Sequence, residues 1–150
     1  IRLVGMDWCQ RERQRLETLQ ARCAPYKVDA PLFWHPWLDK DMAKLLALKH
    51  GLRLPRLYEM GFEHNNCGGA CIKAGMAQWA TLYRTMPERF AAVADQEEDL
   101  RKFLGKDVSI LKDRTGGKKK PLTLRLFAKQ LEASPELCFP DQGSGCDCFA

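Results

Sequence analysis

The sequence lacks any apolar run approaching the ~18 residues that a membrane span requires, so no membrane-spanning helix is expected. No signal peptide is visible in it either, and none is expected. The first apolar stretch, Ile1 to Met6, is interrupted by Arg2, followed by Asp7, and carries no small-residue cleavage site. A cytoplasmic protein is therefore expected. Internal repeats and long low-complexity segments are missing too, which points away from repeat arrays and towards one ordinary folded unit.

What the sequence does have is cysteine, seven in 150 residues. In a chain without an export signal, thiols stay reduced, and metal ligation or redox chemistry explains them better than structural disulfides. The charged fraction of 29% and hydrophobic fraction of 45% suit a folded domain with a real core. The net charge of +5 favours anionic partners such as nucleotides or nucleic acid.

Along the chain, Ile1 to Met6 reads as a strand already under way, which suggests a piece of something longer. A helix is expected across Cys9 to Cys23, ended by Pro25, and Tyr26 to Ala30 is short and extended. Strand, helix, strand is the grammar of a parallel α/β layer. Asp39 suits the N-cap of a helix over Lys40 to Lys49 that Gly51 stops, and Pro55 to Phe62 reads as irregular. Asn65-Asn66 then signals a helix start, with a long helical region from about Ala70 to Thr85. A helix from Pro87 to about Leu104 follows, its apolar positions being Phe90, Val93, Ala94, Leu100 and Phe103, with Gly105 closing it. Val108 to Leu111 and Leu122 to Leu124 flank a Gly-rich basic turn as a loose hairpin or arm, Phe127 to Ala133 is a final short helix, and a tail begins at Ser134. The whole reads as one domain or the carboxyl-terminal part of one, with an α/β part over 1–54, a helical Cys-rich part over 55–150 and a basic arm over 112–120.

Cys67-Gly68-Gly69-Ala70-Cys71 places two thiols four residues apart, on one face if a helix starts there, with glycines that let the backbone approach an ion. Cys146 and Cys148 supply a second close pair in a Gly-rich tail, and four thiolates complete a zinc shell or the ligand set of an iron–sulfur cluster. Cys138 is a substitute ligand or resolving thiol, whereas Cys9 and Cys23 fit a helical core pattern. His64 beside the first pair is a solvent-exposed or capping residue as readily as a ligand, and the helix start at Asn66 to Ala70, with Lys73, is a place for a phosphate or sulfate. Lys112, Arg114, Lys118, Lys119 and Lys120 cluster around two glycines; such runs are usually solvated, with nucleic acid the minority alternative. Asp7, Glu12 and Arg15 fall at the carboxyl end of the first strand, where α/β sheets hold ligands, although Glu12 and Arg15 equally suit a surface helical pair.

The blocks Pro55-Arg56-Leu57-Tyr58-Glu59-Met60-Gly61-Phe62, His64-Asn65-Asn66-Cys67-Gly68-Gly69 and Cys71-Ile72-Lys73-Ala74-Gly75 resemble the phosphoadenosine phosphosulfate (PAPS) reductase-like family. The resemblance continues through Pro87-Glu88-Arg89-Phe90, Gly105 to Leu111 and Lys120 to Leu124, and takes in Gly5-Met6-Asp7-Trp8 and Cys146-Asp147-Cys148-Phe149. It implies an adenine nucleotide alpha-hydrolase type of fold, with part of a parallel sheet and a largely helical Cys-rich carboxyl-terminal half. It also implies an enzyme of sulfur transfer or reduction that binds an adenine nucleotide of the ATP or PAPS type. The family's Ser-Gly-Gly-x-Asp-Ser nucleotide loop has no counterpart here, and Thr115-Gly116-Gly117-Lys118 does not replace it, so the chain resembles the carboxyl-terminal portion of such a protein. On this footing Asp7, Arg56 and Lys73 line the nucleotide or substrate side, and Cys67, Cys71, Cys146 and Cys148 hold zinc or an iron–sulfur cluster. The rival expectation is a metal-stapled basic module that binds nucleic acid without catalysis.

Overall fold

The computed structural model describes residues 1–6, 8–34, 38–114, 118–136 and 139. Asp7, Cys138, Cys146 and Cys148 therefore lie outside the described residues. The fold is mixed α/β. The chain divides into two compact units, one over Ile1–Pro55 and one beginning at Arg56. No described helix is long and apolar enough to cross a membrane.

In the first unit, strand β1 (Arg2–Leu3) pairs in parallel with β2 (Val28–Asp29), Arg2 opposite Val28 and Leu3 opposite Asp29. Helix α1 (Gln10–Arg22) makes the crossover. Its buried Leu16 joins Met6, Val28 and Ala30 in a small core, with Leu19, Cys23 and Phe33 packed against it. Gln20 Nε2 donates to the Val28 carbonyl at 3.0 Å, fixing the helix to the strand it precedes. Cys9 is exposed rather than core: it is the N-cap, and its Sγ accepts the Glu12 N–H at 3.4 Å. Glu12 and Arg15 form an ion pair at 2.5 Å, three residues apart on α1. Helix α2 (Lys40–Lys49) starts where its cap demands, the Asp39 carboxylate accepting the Met42 N–H at 2.8 Å. It buries none of its residues, and Met42, Leu45, Leu46 and Leu48 are exposed.

The second unit carries helices α3 (Arg56–Glu59), α4 (Met76–Thr85), α5 (Pro87–Leu104) and α6 (Leu124–Ala133), with an antiparallel hairpin of β3 (Leu111–Asp113) and β4 (Lys120–Leu122) before α6. Proline at the first turn and Gly105 at φ +58° past the last one delimit α5. The core is a three-helix contact: Trp79 and Leu82 of α4, Phe90 and Ala94 of α5, and Leu124, Phe127 and Leu131 of α6. The α6 positions recur at i, i+3 and i+7, which lays one face on the core, and each fully buried Leu or Phe contributes about 1.5–3 kcal/mol. Phe90 meets Tyr83 and Trp79 edge to face at 5.2 and 6.1 Å.

Four expectations are corrected here. The stretch before Phe62 contains the short α3, and α6 begins at Leu124, three residues before Phe127, because Thr123 Oγ1 caps it by accepting the Leu126 N–H at 3.3 Å. The helix expected from Ala70 begins only at Met76, after a turn. Leu100 and Phe103 are 53% and 86% exposed, because the hairpin and α6 meet α5 at Glu97 and no residue beyond it on the helix is buried.

Glu97 is the buried polar centre of this unit. Its Oε1 accepts the Ile110 N–H at 2.7 Å and its Oε2 accepts the Leu124 N–H at 2.6 Å. Ser109 adds a second tie, donating to the Leu111 carbonyl and accepting the Leu122 N–H at 3.0 Å. Hydrogen bonds to a charged acceptor contribute about 1.5–3 kcal/mol each. Glu97→Ala should therefore lower unfolding stability by about 3 kcal/mol or more in a urea melt, and Glu97→Gln, which keeps one acceptor, by less. The Tyr83 hydroxyl donates to Glu132 at 3.0 Å, linking α4 to α6, and this hydrogen bond, aided by slight burial and the negative charge, holds the phenol pKa above its ordinary 10. The sign is that of a raised group. Its contribution is present below pH 10 and is lost as pH rises through the folded-state value. A Tyr83→Phe difference titration at 295 nm should show that phenol ionising above pH 10.

Candidate functional site

The two thiols nearest the middle of the chain are presented by a turn. Asn66–Gly69 forms a 3-10 turn in which Cys67 and Gly68 take left-handed backbone at φ +55°, and Gly69 follows at φ +84°. Such geometry costs an L-residue about 1–2 kcal/mol, so Cys67 holds it only because its surroundings enforce it. Those surroundings are named groups. The Cys67 carbonyl accepts from the Ala70 N–H at 3.1 Å and from Arg89 Nη2 at 3.3 Å, and Gln78 Nε2 donates to the Gly69 carbonyl at 2.8 Å. A side chain at position 68 would place Cβ 2.5 Å from Arg89 Nη2, and one at position 69 would place it 2.8 Å from the Phe62 ring.

This corrects the helical pairing of Cys67 and Cys71. Four-residue spacing puts both on one helix face only if a helix is there, and it is not. Cys67 is exposed, Cys71 is partly buried, and a further turn closes with the Ala74 N–H donating to the Cys71 carbonyl at 2.9 Å. The anion site expected at a helix start over Asn66 to Ala70 loses its basis for the same reason, a single 3-10 turn lacking the aligned dipoles of a long helix. Among the described residues no group of three or more His, Cys, Asp and Glu side chains is gathered as a metal shell. Two thiolates are half of the donor set of a four-thiolate site, and the other half would have to come from elsewhere in the chain. His64 lies 3.8 Å from its neighbour Glu63.

Directly after Cys71, the chain enters the wall of an open cavity of about 830 Å³. Ile72, Lys73 and Met76 form one side, Ile110 to Arg114 another, and Gln130, Ser134 and Phe139 a third. Lys73, Lys112 and Arg114 bring three cations to it against one carboxylate, Asp113. Apolar walls with a few convergent charges are the usual make-up of a site for a small organic anion. Phe139 is held there by packing on Phe127 at 5.3 Å, and Arg84 Nη2 donates to the Pro135 carbonyl at 3.0 Å, so Pro135 and Phe139 are both tied to this unit.

Of the residues singled out for a nucleotide, only Lys73 lines this cavity. Arg56 is exposed on α3 and is not part of the wall, and Asp7 lies outside the described residues. Lys112 and Arg114, taken for an arm, belong to the cavity, whereas Lys118 and Lys119 are exposed on the hairpin away from it. Sequence reasoning missed the clamp formed by Gln78 and Arg89. Arg89 sits in the Pro87-Glu88-Arg89-Phe90 block and carried a signal; Gln78 carried none.

No family model, no curated protein and no solved structure matches the chain.

Two glycine substitutions separate backbone strain from crowding. Gly105→Ala meets open space and pays only for its left-handed φ, about 1 kcal/mol. Gly69→Ala has that cost and also drives Cβ into Phe62 and Leu82, so it should lose about 1–3 kcal/mol more stability and melt at a lower temperature than Gly105→Ala.

Proposed function

We propose that this chain is part of a PAPS reductase-like enzyme of sulfur transfer or reduction, and that its second unit binds the anionic end of an adenine nucleotide of the ATP or PAPS type. The observation that carries the reading is the convergence of Lys73, Lys112 and Arg114 on one apolar-walled cavity whose wall includes Ile72, the residue after Cys71. Phosphate and sulfate need cations and hydrogen-bond donors, an adenine needs apolar surface, and both kinds of wall are present. The parallel β1–α1–β2 unit is compatible with an adenine nucleotide alpha-hydrolase type of sheet.

Cys67 and Cys71 are the two residues here that would hold a zinc ion or iron–sulfur cluster, together with Cys146 and Cys148. Bound there, such a group would either fasten the chain to the turn or supply electrons. The chain's own contribution is a turn whose backbone is fixed by Arg89 and Gln78, so that the thiols are offered without reorganising the main chain.

The test is direct. Calorimetric titration of the full chain with PAPS and with ATP should give saturable binding, and Lys73→Ala and Lys112→Ala should each weaken it about tenfold, equivalent to about 1.4 kcal/mol. Elemental analysis of anaerobically purified protein should find zinc or iron, reduced at least by half in Cys67→Ser. Absence of both metal and nucleotide binding would remove the proposal.

A further inference from the structure

The cationic lining does not stop at the cavity. A second depression of about 440 Å³ shares Asp113, Leu122, Gln130 and Ala133 with the first and adds Lys120, Lys129, Pro121 and Leu126. The two hollows are thus neighbouring stretches of one groove that follows the hairpin and α6. Lys112 stands on β3 and Arg114 just past its end, two residues on and ~7 Å away along extended chain, and both line the first hollow. Among the described residues, Lys112, Arg114, Lys120 and Lys129 make no ion pair, whereas Arg101 and Arg125 of the same unit are paired with Asp107 and Asp95. Four cations that are unpaired among the described residues, along a groove lined by one described carboxylate, suit a ligand with several spaced negative charges.

Building on the nucleotide reading of the cavity, we propose that the nucleotide taken there is one unit of a single-stranded nucleic acid, whose following phosphates run along the hairpin to Lys120 and Lys129. A free mononucleotide fills the first hollow and leaves those two lysines unused. A polynucleotide uses all of them, and its alternation of flat base and charged backbone matches a groove whose walls alternate Ile110, Pro121 and Leu126 with lysines and arginine. Phe139 in the first hollow offers a ring on which a base stacks, with Gln130 and Ser134 as hydrogen-bonding neighbours. An acidic peptide would engage the cations but would have no use for that ring.

The experiment compares a fluorescein-labelled 12-nucleotide oligoadenylate with AMP on the full chain, by anisotropy and competition, between 50 and 200 mM salt. The 12-mer should bind at least tenfold more tightly than AMP, with a steep salt dependence. The double variant Lys120→Ala/Lys129→Ala, both exposed and outside the first hollow, should leave AMP affinity unchanged while lowering the oligonucleotide's log–log salt slope by about 1.4, the value for two single-strand phosphate contacts. AMP binding as tightly as the 12-mer, or the double variant leaving the slope intact, overturns the polynucleotide and spares the nucleotide reading. Equal competition by polyglutamate of matched charge overturns it in favour of an acidic protein partner. Binding of neither AMP nor 12-mer removes both.

Discussion

The Glu97 carboxylate organises the second unit. One side chain on α5 reaches forward 13 residues to Ile110 and 27 residues to Leu124, binding the entry to the hairpin with one oxygen and the start of α6 with the other. A charge only 6% exposed is tolerable because it receives two short backbone N–H bonds, which replace the water it gave up. The two amides so satisfied bracket the hairpin. Its strands of three residues each would be too short to persist unaided, and their position over the core is set from outside them.

From that anchoring the cavity follows. Leu111 and Leu122 pair across the hairpin and turn inward to the core, so Lys112 and Pro121, the next pair, fall on the opposite face. Leu111 and Leu122 also line the cavity, and Lys112 and, past the strand's end, Arg114 bring their charges to the same wall. On the other side of the hollow, the chain from Cys71 to Met76 is kept out of helix by its turns, which puts Lys73 on the rim instead of on a helix face. Basic groups that look like a solvated run in sequence are thus held to a wall by a carboxylate fifteen residues upstream of the first of them.

How much of this was legible in sequence depended on whether the signal was local. Asp39 and Gly51 around α2, Pro87 and Gly105 around α5, and the strand–helix–strand opening are short-range features, and the structure has them. A hairpin or arm around the basic turn was readable from its glycines, but its strands, Leu111–Asp113 and Lys120–Leu122, meet the apolar flanks expected for them only at Leu111 and Leu122, because Glu97 and Ser109 fix where pairing starts. What failed was spacing taken as a helix: Cys67 and Cys71 are four apart, yet two following glycines permit left-handed backbone, and a clamp from α4 and α5 selects it. Leu100 and Phe103 kept a helical period, but nothing in the period says where the partner ends. The cavity was half legible. Lys73 and the Lys112–Arg114 pair were each visible, and their meeting depends on tertiary contacts through Glu97 and Ser109 that no local pattern announces.

The packing of Arg89 on Gly68 binds two positions twenty-one residues apart into a single evolutionary unit. No methyl group fits at 68 while the guanidinium stays where it is, and a shorter residue at 89 would both vacate that space and release the carbonyl it holds. Drift at either place should therefore be reciprocal: a lineage that loses the arginine is freed to lose the glycine, and with it the left-handed backbone that sets how the neighbouring thiol is displayed.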